Sequence, residues 1–165
     1  TVSASVLITG MLVFSGIGSF VSERYLDRAR NVMPRVFLAI FAILAFYAFT
    51  IDYALDWIGT LPYALRIVLC LLLLLPPALL MGFPMPTAMT MLGRLGKDHM
   101  FLWAWGINGC FSVIGAALVP IVATSFGLPA VVLVGAFAYL IALPAFFSVL
   151  MPLSNGSRSG RPASA

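Results

Sequence analysis

The sequence predicts an all-α, polytopic membrane protein: a bundle of five transmembrane helices, N-terminus outside and C-terminus in the cytoplasm. Three observations carry that expectation. Of 165 residues, 62% are hydrophobic and only 8% charged, whereas a soluble domain is roughly half apolar and a quarter charged. The apolar residues gather into five runs, each close to the roughly 20 residues needed to cross the hydrocarbon core of a bilayer. The charges lie between those runs, and the mean hydropathy of the whole chain is +1.11.

Taken in order, the helices are expected at residues 2–21, 36–55, 64–92, 102–124 and 130–151, forming one transmembrane domain over 2–151. The third is interrupted by prolines. Residues 152–165, ending in SNGSRSGRPASA, read as a disordered polar tail. The chain opens on Thr1 rather than Met, which suggests a piece of a longer protein. Nothing basic precedes the first apolar run, so no secretory signal is expected.

Orientation follows from the basic residues. Arg24, Arg28, Arg30 and Arg35 follow the first run, Arg94 and Lys97 separate the third from the fourth, and Arg158 and Arg161 lie in the tail. These segments share one side, and only Arg66 falls on the other. The positive-inside rule makes the arginine-rich side cytoplasmic. The short turn SFGLP joins the last two helices as an antiparallel hairpin. Trp57 and Tyr63 near the outer face, and Trp103 and Trp105 near the inner face, fit interfacial aromatic belts. The placement of the charges turns a net charge of +4 into an argument for a lipid bilayer and against a nucleic acid. Cys70 and Cys110 lie inside apolar runs and read as small, reduced hydrophobes.

Three stretches stand out. SGIGSF (15–20) lacks the strand and third glycine of a dinucleotide fingerprint, and the Ser15–Ser19 spacing reads as a small-xxx-small face for close helix contact. PPALLMGFPMP (76–86) carries four prolines with Gly82, which cannot all occupy a regular helix. It reads as a kinked helix emerging at the cytoplasmic surface, or as a broken helix of the kind transporters place at binding sites. WAWGINGCFSVIGAA (103–117) sets Gly106, Gly109, Ser112 and Gly115 at every third position, a strip that admits another helix at backbone distance. Asn108 needs a hydrogen-bond partner in the membrane, and a carbonyl freed by Pro84 or Pro86 near Gly82 is one candidate. Its amide is either interhelical glue or a contact for a polar solute.

Ionisable residues point to no chemistry. Asp52 and Asp56, one turn apart, are expected to pair with Arg66 at the outer interface rather than to attract a cationic ligand at the outer mouth. Glu23 and Asp27 read as a solvated loop face, and His99 has no companion ligand. The sequence contains no catalytic pair, no metal cluster and no cofactor loop.

The segments MLVFSGIGSF, LLMGFPMPTAMTMLG and WAWGINGCFSVIGAALVPIVATSFGLPAVVLVGAFAYLIAL resemble the membrane region of bacterial spermidine synthase-like membrane proteins. The likeness runs from the first helix through the fifth, and MGFPMP departs from the GMPFP-like order common in that family. The resemblance implies a multi-pass module of a bacterial inner membrane that anchors or serves a soluble aminopropyltransferase-like domain. That domain's glycine-rich cofactor loop and polyamine-gripping acids are absent from these residues, so any such catalysis would lie outside this chain. Two other roles remain open: a transporter-like half bundle for a small solute, and a structural helix-association unit. The partners implied are the lipid bilayer and other transmembrane helices, or a soluble domain, of the same full-length protein.

Overall fold

The structure is a computed structural model that describes residues 2–94, 96, 97 and 99–156. Among these residues it is all-helical: α1 (Val2–Ser22), a 3-10 turn (Glu23–Arg28), α2 (Ala29–Gly59), α3 (Tyr63–Met81), α4 (Pro84–Arg94), α5 (Met100–Phe126) and α6 (Leu128–Gly156). With α3 and α4 counted as one broken span, five helices are long and apolar enough to cross a membrane.

The helices overrun the apolar runs that announce them. α2 begins at Ala29, seven residues before the expected start, and takes in Arg30 and Arg35. Arginine is a good helix former, so hydropathy marks the apolar part of a helix rather than its ends. At 1.5 Å per residue, its 31 residues span about 46 Å, well beyond a hydrocarbon core of about 30 Å. α6 likewise continues to Gly156; the rest of the expected tail, 157–165, lies outside the described residues. The turn after α5 depends on Gly127, whose φ of +85° suits glycine alone, and Pro129 sits in the first turn of α6, where its missing N–H costs nothing.

In space the helices follow the order α1, α3, α2, α6, α5, and α4 touches both α1 and α5. The centre of this arc is α2. Met33, Phe37, Ile40, Leu44 and Ala48 recur at helical spacing and are all buried. Against them α6 packs Val132, Ala136 and Tyr139, while Leu80, Met81 and Phe83 close from the broken third span. Phe37 stacks obliquely on Phe146 at 5.7 Å, and Phe41 meets Phe137 edge-on at 5.8 Å. α5 is at the opposite extreme. None of its residues is buried within this chain.

Two prolines, Pro76 and Pro77, lie inside α3. Pro77 has no N–H to donate to the carbonyl of Leu73, the residue four positions back. That carbonyl instead accepts the Tyr47 hydroxyl of α2 at 2.7 Å. The unmatched backbone group that a proline leaves in the third span thus becomes the polar tie between α2 and α3. Interhelical hydrogen bonds in membranes contribute about 0.6 kcal/mol on average and up to about 1.7. Tyr47→Phe is therefore expected to lower unfolding stability in mixed micelles by about 1 kcal/mol. In a Pro77→Ala background, where the alanine supplies its own N–H, the same change should cost clearly less, and a double-mutant cycle reads the difference.

Candidate functional site

The best-defined site grows from small residues on α1. α1 and α3 run parallel and in register along their length. At one end the Ser3 and Tyr63 hydroxyls share a hydrogen bond of 3.0 Å. Further along, a Cβ on Gly18 would run into the carbonyl oxygen of Leu79, and one on Gly82 into the Ser15 carbonyl oxygen and to within 2.9 Å of the Ser19 amide nitrogen. The two backbones touch directly, as the Ser15–Ser19 spacing predicts, and only glycine fits at either point.

Gly82 is also where the third span breaks. The residue before a proline is steered away from helical geometry, and Phe83 precedes Pro84. The chain bridges the break with short-range bonds: the Gly82 amide donates to Ala78 and Leu79, and the Phe83 amide to Leu80 at 3.1 Å. α4 then starts on Pro84, with Pro86 still in its first turn, where helix amides have no intrahelical partner. Thr87, 1% exposed, returns its hydroxyl to the Phe83 carbonyl at 2.8 Å, and Thr90 does the same to Pro86 at 2.9 Å. The segment is a broken helix with its backbone largely satisfied, packed against α1.

Beside the break lies a cavity of about 570 Å³, within the range of small-molecule pockets. α1 lines it with Ser15, Gly16 and Ser19; the broken span with Met81, Gly82, Met85, Pro86, Met89 and Thr90; and α5 with Phe101 and Trp105. Gly82 and Pro86 are thus at the site and Pro84 starts the helix that floors it. The expected strip on α5 is placed differently. Gly106, Gly109 and Gly115 have open space where a Cβ would stand. Asn108 and Ser112 are exposed, and Asn108 makes no hydrogen bond to another described residue. Gly106 lines a second groove of about 430 Å³ with Trp103, Ile107, Cys110 and Phe111. The close contact at Gly82 comes from α1, the Leu80 carbonyl that Pro84 frees accepts the Phe83 amide instead, and Asn108 reaches no carbonyl of the third span among the described residues. Tyr47 carries no local sequence signal, because its partner lies 26 residues away. The fourfold spacing of Met81, Met85 and Met89 was visible within LLMGFPMPTAMTMLG.

Charged groups stay outside the site. At the end of the bundle near α4, Arg94 Nη1 meets Asp27 Oδ1 at 3.1 Å, with both side chains more than half exposed. Such a pair contributes at most about 1 kcal/mol, but it puts the arginine-bearing 3-10 turn and the end of α4 on one side. At the other side Arg66 donates to the Gly59 and Leu61 carbonyls instead of pairing with Asp52 or Asp56. The last carbonyls of α2 lack helical donors and form the negative end of its dipole, which draws the guanidinium. His99 stands exposed at the start of α5. Among the described residues no three of His, Cys, Asp and Glu come together.

Compared with known proteins, the chain matches no family model, no curated protein and no solved structure.

The contact at the break yields a contrast. Gly82→Ala is expected to destabilise the bundle by about 1–3 kcal/mol through overpacking. Gly16→Ala, with nothing within 4 Å of its Cβ, should cost nothing. Unfolding of the two variants in the same micelles checks the ordering.

Proposed function

We propose that the chain is a multi-pass module of a bacterial inner membrane, of the spermidine synthase-like kind, serving a soluble aminopropyltransferase-like domain. The observation that carries this reading is the state of α5. A helix with an intramembrane amide and a row of glycines is uncovered among the described residues, as suits a helix that meets other parts of a larger protein. Asn108 needs such a neighbour, since an unpaired amide in hydrocarbon costs several kcal/mol. The acid–base groups and cofactor loop of an aminopropyltransferase would belong to the soluble domain. Recovery of the full-length reading frame tests this directly. An adjoining soluble domain with a glycine-rich cofactor loop is the expected result, and a complete frame without one overturns the reading.

The orientation proposed is N-terminus outside and C-terminus in the cytoplasm, supported by eight of nine basic residues on one side. A green fluorescent protein fused after Ala165 should fluoresce, and alkaline phosphatase at the same position should be inactive. The opposite pair of results reverses the topology.

A second reading is favoured by the cavity beside the broken span: a transporter-like half bundle for a small cationic solute. Proteoliposomes holding the chain would then take up spermidine faster than empty vesicles, and Gly82→Ala would reduce that uptake. Equal rates in the two vesicle populations reject it.

A further inference from the structure

The methionines beside the break are not wholly given over to the core: Met81 packs against its edge, yet it and two others also face a cavity. Core methionines fill gaps and are buried, as Met33 is at 1% exposure. Met81, Met85 and Met89 are only half-buried, and all three line the same cavity. Their spacing is four residues throughout. Met85 and Met89 are one turn apart on α4 and so share a face; Met81, from the last turn of α3, reaches the same space across the bend at Gly82.

We infer that this cavity is a binding site for a soft monovalent metal ion, Cu(I) or its redox-inert analogue Ag(I), held by the thioethers of Met81, Met85 and Met89. Ligand chemistry supports that choice. Thioether sulfur is a soft donor that selects Cu(I), whereas Mg²⁺ and Ca²⁺ need carboxylates or carbonyls and Zn²⁺ prefers imidazole or thiolate. The lining contains no carboxylate, imidazole or thiol. A site without anionic donors in a low-dielectric setting favours one positive charge over two, because desolvation of an ion rises steeply with its charge. Trp105 also lines the cavity, and indole is the best of the aromatic rings for stabilising a cation. The Ser15 and Ser19 hydroxyls on the α1 side leave room for a water or a counter-anion. The site concerns binding only and does not depend on the role proposed above.

The test uses the whole chain in detergent micelles, with Cu(I) supplied from a chromophoric chelator. The thiols compete for soft ions, so the titration is run on a Cys70→Ala/Cys110→Ala background. One Cu(I) per chain is expected. Met85→Leu or Met89→Leu, which conserve volume, should each weaken binding at least tenfold, and Met81→Leu/Met85→Leu/Met89→Leu should abolish it. Met11→Leu, in an exposed position of α1 outside the cavity, should change nothing. A parent that takes up no Cu(I), or a triple variant that binds as the parent does, overturns the proposal. A second measurement requires no variant to fold. With ¹³C-methyl methionine in the unaltered chain, Ag(I) added beyond the two equivalents that the free thiols of Cys70 and Cys110 can take should shift the ε-methyl signals of Met81, Met85 and Met89. Equal shifts at Met11, Met33 and Met100 would instead mean diffuse binding and reject the site.

Discussion

A backbone group packed away from water must find a hydrogen-bond partner, and the structure is organised around meeting that constraint at the proline-rich third span. Pro77 leaves the Leu73 carbonyl without its helical donor, and Tyr47 supplies one from α2. Pro84 and Pro86 start a new helix rather than interrupting an old one, so their missing amides fall where a helix has none to use. The bend between these two solutions is one or two residues long. It stays inside the bundle because glycine at position 82 lets the backbone of α1 press against it. Proline sets the demand, tyrosine and glycine meet it, and the relative placement of α1, α2 and α3 follows.

The same arrangement divides the bundle energetically. α2 is held on two sides, by α3 and α6, and carries most of the buried hydrophobic residues. α1 is tied closely to one neighbour through backbone contact. α5 is held chiefly by α6 and touches α4 only near its start. The arc therefore has a rigid middle and an accommodating edge. The cavity forms where the bent third span, floored by α4, leaves α1 and α5 apart, so its shape depends on the same break that the prolines impose. Methionine, serine and aromatic side chains line it with soft and weakly polar groups and no formal charge.

Much of the fold was legible in the chain. Five apolar runs, a glycine turn at 127 and clusters of arginine between runs express local preferences that act over one or two turns, and the helices form where those preferences place them. Helix ends were less legible. Arginine at 30 and 35 propagates a helix well while lowering hydropathy, so α2 extends past its apolar run. Of the site, the Ser15–Ser19 face and Gly82 could be singled out as small residues in need of a neighbour. Their pairing with each other could not, because Gly109 and Gly115 present the same local chemistry and a single chain carries no record of which small face meets which. Arg66 departs from expectation for a related reason: carboxylates are visible in the sequence, but the stranded carbonyls at the end of α2 emerge only once the helix has an end.

By itself the sequence determined the helical class, the number of helices long and apolar enough to cross a membrane, and the position of the break, because apolar length and missing proline amides are properties of individual residues and their near neighbours. Tertiary structure alone decided that Tyr47 answers Leu73, that α1 rather than α5 seats against Gly82, and that three methionines four residues apart converge on one cavity. Those outcomes depend on which helices become neighbours. That choice follows from the summed packing of whole helix faces around Ile40 and Ala136, a sum that no short stretch of the chain contains.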